Sequence, residues 1–76
     1  MSHIKVKVKE KDLNTIKEIC KSFNNKPGEL INVLHKTQEH FGYLPAEVQE
    51  VVAQELNMPV AKVYGVVTFY SFFTML

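Results

Sequence analysis

Three prolines set the terms on which this chain can fold. Pro27, Pro45 and Pro59 each stand where an apolar pattern restarts. Proline has no backbone N–H and a fixed φ, so it suits the first turn of a helix and breaks one further in. Between these breaks the apolar residues recur at helical spacing. Leu13, Ile16, Cys20 and Phe23 follow i, i+3, i+7, i+10, with Asp12 placed to cap the start of a first helix. A second helix is expected from Pro27 to His40, with Leu30, Leu34, Gln38 and Phe41 on one face and Ile31 beside them. Gly42 ends it, because glycine accepts the left-handed conformation of a helix stop. A third opens at Pro45, carries Glu47 in its first turn and buries Val48, Val51, Val52 and Leu56. Short links between successive helices favour antiparallel neighbours. The expected fold is all-α, a small up-and-down bundle of three to four helices over residues 12–76, behind an extended basic N-terminal arm at 1–11.

Val63 to Phe73, VYGVVTFYSFF, is the segment that periodicity alone does not assign. Val60, Val63, Val67 and Tyr70 fit one helical face, Tyr64 and Ser71 a neighbouring one, and Val66, Phe69 and Phe73 the far side. Its β-branched and aromatic residues favour a strand. The start signal at Pro59 decides for a helix. A segment apolar on every face is either buried or waiting for a partner. Phe69, Phe72 and Phe73 are therefore candidates for a partner interface, weighed against closure of the bundle core. Tyr64 and Tyr70 are expected in the core or half-buried, where the ring packs and the hydroxyl stays wet.

Charge excludes some functions. The net charge of +1 over 76 residues hides a split. Residues 1–11 hold Lys5, Lys7, Lys9 and Lys11 against Glu10, the middle of the chain is mildly acidic, and residues 63–76 carry no charge. Ile4, Val6 and Val8 alternate with the lysines of the arm, a strand-like pattern with no clear strand to pair with. There is no arginine, so the fork that makes bidentate contacts to phosphate and guanine is missing. Val51 to Val67 scans like a helix-turn-helix, yet the early positions of its second helix offer one lysine, Lys62. The uncharged run at 63–76 falls short of the ~20 residues of a membrane-spanning helix. A single cysteine, Cys20, makes no internal disulfide and fits a reducing, cytoplasmic setting.

No catalytic or metal constellation emerges. His35 and His40 are five apart and face different sides of a helix. Cys20 lies on an apolar stripe, where a thiol acts as a small hydrophobe. Zinc calls for about four N/S ligands and an iron–sulfur cluster commonly for four cysteines. Gly28, Gly42 and Gly65 are isolated and form no phosphate-binding loop.

Two longer words carry a likeness. L-x-x-x-Q-E-H-F-G-Y-L-P, Leu34 to Pro45, and V-Y-G-V-V-T-F-Y-S-F-F, Val63 to Phe73, belong to a stretch from Glu29 to Phe73. It resembles the N-terminal helical domain of the thioredoxin-like [2Fe–2S] ferredoxin subunit of NADH dehydrogenase (respiratory complex I), NAD(P)-linked hydrogenases and NAD-dependent formate dehydrogenases. The resemblance implies a helical domain followed by a ferredoxin domain that holds the four cluster cysteines. It also implies docking on the flavin- and NAD(P)-binding subunit. The sequence reaches Leu76 before any of those cysteines, so no catalytic, metal or cofactor-binding residue carries over to it. The [2Fe–2S] group is expected in the missing downstream domain.

The expected function is a structural and docking module of an NAD(P)H-linked iron–sulfur electron-transfer complex, not catalytic alone. Its expected partners are the flavin- and NAD(P)-binding subunit and its own ferredoxin domain, with no nucleic acid. The alternatives are a free-standing helical protein-interaction adaptor and, behind it, a helix-turn-helix DNA-binding protein.

Overall fold

A computed structural model describes residues 8–70 and 73–74. They form four α-helices: α1 (Glu10–Ser22), α2 (Leu30–Phe41), α3 (Ala46–Glu55) and α4 (Val60–Phe69), with a 3-10 turn at Pro27–Glu29 leading into α2. No strand occurs among the described residues. The fold is the expected small all-α bundle. Residues 1–7 of the N-terminal arm, with the strand-like alternation of Ile4 and Val6, lie outside the described residues.

The helix boundaries follow local chemistry, with shifts. Pro45 and Pro59 sit at the N-cap positions of α3 and α4, one residue ahead of the helix. Lys9, not Asp12, occupies the N-cap of α1, and it makes no side-chain cap. Asp12 instead lies in the first turn, where its negative charge still favours the exposed amides. The helix therefore takes in Glu10 and Lys11, which the sequence assigns to the arm. Gly42 closes α2 with φ 87°, and its N–H donates to the Gln38 carbonyl at 2.7 Å. Asparagine does the same work elsewhere: Asn24 and Asn25 after α1 and Asn57 after α3 all have positive φ. Asn tolerates that region better than most residues with a side chain. The Asn25 amide also donates to the Glu55 carbonyl at 3.2 Å, tying the end of α1 to the end of α3.

α3 is the central helix. It packs against both α1 and α4, and α1 packs in turn against α2. The core is built from Ile16 and Cys20 of α1, Leu30, Val33 and Leu34 of α2, Val48, Val51 and Val52 of α3, and Val63 and Val67 of α4. Leu44 and Leu56 close it from the two connections. A fully buried Val or Leu contributes about 1.5–3 kcal/mol relative to an exposed one. On α2 the inward stripe is rotated from the expected one. Val33 and Thr37 are fully buried, while Gln38 and Phe41 are only partly so. Thr37 tolerates burial because its hydroxyl donates to the Val33 carbonyl one turn earlier, at 2.7 Å.

Candidate functional site

Two features of the structure lie outside the packing of the core: the outer face of α4, and the way the chain returns across the bundle after it. α4 keeps Val63 and Val67 inward, four residues apart on one face. Its other side is open. Tyr64 is 52 % exposed, Phe69 is 80 % exposed, and Val60, Ala61, Gly65 and Thr68 are exposed around them. Lys62 is the one charged residue of the helix. Tyr64 is thus more open than its expected half-buried place, whereas Tyr70 is half-buried as expected. Gly65 sits within this helix at a position where an alanine would be about 1 kcal/mol more favourable.

After α4 the chain turns back. Tyr70 is extended, and Phe73 N–H donates to the Tyr70 carbonyl at 3.2 Å. Phe73 then buries its ring, 7 % exposed, edge-on to both Tyr70 and His35 of α2, at centroid distances of 6.3 and 5.4 Å. Thr74 is held from two sides. Its N–H donates to Gln38 Oε1 at 2.6 Å, and its carbonyl accepts from the Leu44 N–H at 2.6 Å. The Leu44 carbonyl in turn accepts from Gln49 Nε2 at 2.8 Å, in the buried interior. A chain of three hydrogen bonds therefore links α2, the returning segment, the α2–α3 connection and α3. The two sequence words, Leu34 to Pro45 and Val63 to Phe73, meet beside this clamp, where the Phe73 ring packs on His35.

The three candidate interface phenylalanines part company here. Phe69 stands on the open face of α4, Phe73 is packed against the core from the returning segment, and Phe72 lies outside the described residues. Gln49 and Gln38, the two polar side chains that organise the clamp, were not singled out for this role by the sequence. Gln49 carries no signal of burial in the sequence, because its partner is the backbone carbonyl of Leu44.

Cys20 is fully buried. Burial first, with the negative charge of Glu55 adding to it, pushes its thiol up to about 11. The thiolate is the form that binds metal, and burial disfavours it. A [2Fe–2S] cluster commonly takes four cysteines, and this sequence has one. The residues present do not fit such a cluster. Among the described residues no group of three or more His, Cys, Asp or Glu is placed to hold a metal ion. The α3–turn–α4 pair has the spacing of a helix-turn-helix, but a reading helix needs several cationic or polar side chains on its open side. α4 presents Lys62 amid apolar residues. No helix among the described residues is long and apolar enough to cross a membrane.

Comparison with known proteins gives a consistent set of relatives. A family model for the thioredoxin-like [2Fe–2S] ferredoxins matches residues 16–76. The NADP-reducing hydrogenase subunit HndA of Solidesulfovibrio fructosivorans is 55 % identical over 58 residues, covering 76 % of this chain and 34 % of that protein. A subunit of the NADH-quinone oxidoreductase of Aquifex aeolicus is 34 % identical over 58 residues, covering 76 % of this chain and 36 % of its own length. The like-named NADH-quinone oxidoreductase subunit of Rickettsia felis is 35 % identical over 69 residues, covering 87 % and 41 %. The chain thus spans roughly a third to two fifths of the length of the curated relatives it matches.

Proposed function

This chain belongs to the thioredoxin-like [2Fe–2S] ferredoxin family, and from that membership we propose that it is the docking module of an NAD(P)H-linked iron–sulfur electron-transfer complex. Its role is to hold a ferredoxin domain in register with the flavin- and NAD(P)-binding subunit. The redox group is held outside these 76 residues, and the chain does no chemistry alone. The observation that carries the reading is the open face of α4. Phe69 is 80 % exposed on a helix with a single charge, in a bundle whose core is already closed on the other side. Apolar surface of that kind on a small domain marks an interaction site. The relatives support the reading, since each is named as a subunit of a larger oxidoreductase.

The test is co-purification of the tagged chain with the flavin- and NAD(P)-binding subunit. Capture that Phe69→Asp abolishes is the expected result. Failure of the wild-type chain to capture that subunit would favour the free-standing adaptor instead. In parallel, the chain treated with iron and sulfide should stay colourless. Visible absorption of a [2Fe–2S] centre would end the claim that the cluster lies elsewhere.

A further inference from the structure

A groove lies between the start of α1 and the corner where α2 hands over to α3. It encloses about 310 Å³. Its apolar lining comes from Val8, Phe41 and Val48, and its charged lining from Asp12 and Glu47, with Lys9 beside them. Two carboxylates thus share the groove with one ammonium. Asp12 and Glu47 are both half-buried, and among the described residues neither forms an ion pair. Each stands in the first turn of its helix, where a negative charge is favoured. That accounts for their sign. It does not account for two carboxylates short of cations over a common apolar lining, since a charge that loses water without gaining a partner is costly.

Suitable cations stand next door in the sequence. Residues 3–7 read HIKVK, with Lys5 and Lys7 and no acid. Ile4 and Val6 alternate with these lysines, and Val8 continues their phase. In an extended chain, alternate side chains share a face. Lys9 has an extended backbone, φ -63° and ψ 150°, so the chain enters α1 in that form. Val8 is already part of the groove lining. Counting back by two and by four residues, its side holds Val6 and Ile4, and the other side holds Lys5 and Lys7. A segment contiguous with the groove also has little loop entropy to lose on closing over it. We propose that the N-terminal arm is an intramolecular strap. Residues 4–7 lie in this groove, with Ile4 and Val6 against the apolar lining. Lys5 and Lys7 reach round on their long stems to Asp12 and Glu47. The strap fastens the first turn of α1 to the α2–α3 corner and covers apolar surface that the helices leave open.

The experiment is NMR of the 76-residue chain, reading nuclear Overhauser contacts from the Ile4 and Val6 methyls to the rings of Phe41 and Tyr43, both on the groove. Contacts to both rings are expected. Val6→Asp should abolish them and leave the helical content unchanged. Glu47→Gln should lower the docked-to-free ratio of the arm about two- to fivefold, the worth of one partly exposed ion pair. Lys5→Glu combined with Lys7→Glu should lower it further. Absence of contacts in wild type would overturn the strap. Contacts undiminished by the charge changes would overturn the pairing with Asp12 and Glu47. Contacts between differently labelled copies, fading on dilution, would seat the arm of a second copy and overturn the intramolecular assignment.

Discussion

The backbone N–H of Thr74 lies 2.6 Å from Oε1 of Gln38, a residue 36 positions earlier in the chain. Thr74 also accepts from Leu44, so the segment that follows α4 is fastened to the C-terminal part of α2 and to the turn beyond it. Phe73 reaches the core as a consequence. Gln38→Leu removes the acceptor and should cost about 1 kcal/mol, the net worth of an ordinary hydrogen bond. Gln38→Glu keeps an acceptor oxygen and should stay near wild type. Urea unfolding reads the first effect, and amide exchange at Thr74 reads the clamp itself. Equal exchange in wild type and Gln38→Leu would show that this bond does not hold the segment in solution.

Gln49 is the buried end of the same relay. Its amide donates to the Leu44 carbonyl, so Gln49→Leu leaves that carbonyl without this donor and should destabilise the domain by about 1–3 kcal/mol. Gln49→Glu gives a sharper test. A carboxylate there has no proton to donate, faces a carbonyl dipole and is desolvated, so its folded-state pKa must rise above the usual carboxylate range. Its contribution is then present at low pH, where the protonated acid can donate, and is lost as pH rises through the raised value. The variant should be closer to wild type at pH 4 than at pH 7 in matched denaturant titrations. A deficit equal at both pH values would contradict the burial of this side chain.

Phe69 and Phe73 should respond oppositely to the same substitution. Phe69→Asp changes an exposed residue and should alter stability by no more than about 0.5 kcal/mol. Phe73→Asp places a lone charge in the packed interior and should cost about 3 kcal/mol or more. Circular dichroism melts separate the two. Unfolding by Phe69→Asp would mean that its ring supports the bundle rather than a partner.

Cys20 should make the fold weaken in alkali. Its thiol is held up to about 11 in the folded chain, while the unfolded chain loses the proton nearer the ordinary value. Below that ordinary value both states keep the proton and the stabilisation is complete. Between the two values only the folded state keeps it, so stability falls as pH rises through about 9 to 11. Lysines and tyrosines titrate there as well, so the measurement is the difference between wild type and Cys20→Ala. The wild-type chain should lose stability more steeply over this range. The native thiol should also react slowly with a disulfide reagent until the chain unfolds. Rapid reaction in the native state would place Cys20 at the surface.

The helices were legible because their punctuation is chemical. Gly42 stops α2 with a positive φ, and Pro45 and Pro59 mark where α3 and α4 begin. The stripe of α3, Val48, Val51, Val52 and Leu56, is buried in full. On α2 the spacing places Leu30 and Leu34 correctly in the core and misses Val33 and Thr37. Thr37 is buried because its hydroxyl is satisfied locally, and period counting sees only that it is polar. Gln49 hides for the same reason, its partner being a backbone carbonyl that no sequence pattern displays. Asn24, Asn25 and Asn57 take the left-handed positions that the eye assigns to glycine. On α4 the apolar composition was plain, but composition has no direction. The sequence could not separate Phe69 from Phe73, because α4 ends at Phe69 with an extended Tyr70 after it, so helical phase does not carry on to Phe73.

The two-sided grip on Thr74 has a mechanical consequence. Tension applied at the carboxyl end of the chain does not meet α4 first. It is carried by the bonds to Gln38 and Leu44 and passes into the middle of the molecule, while α4 remains out of the load path until the grip gives way. A tether attached there would therefore transmit small displacements to the α2–α3 corner as a stiff joint, where an unclamped end would behave as a loose string.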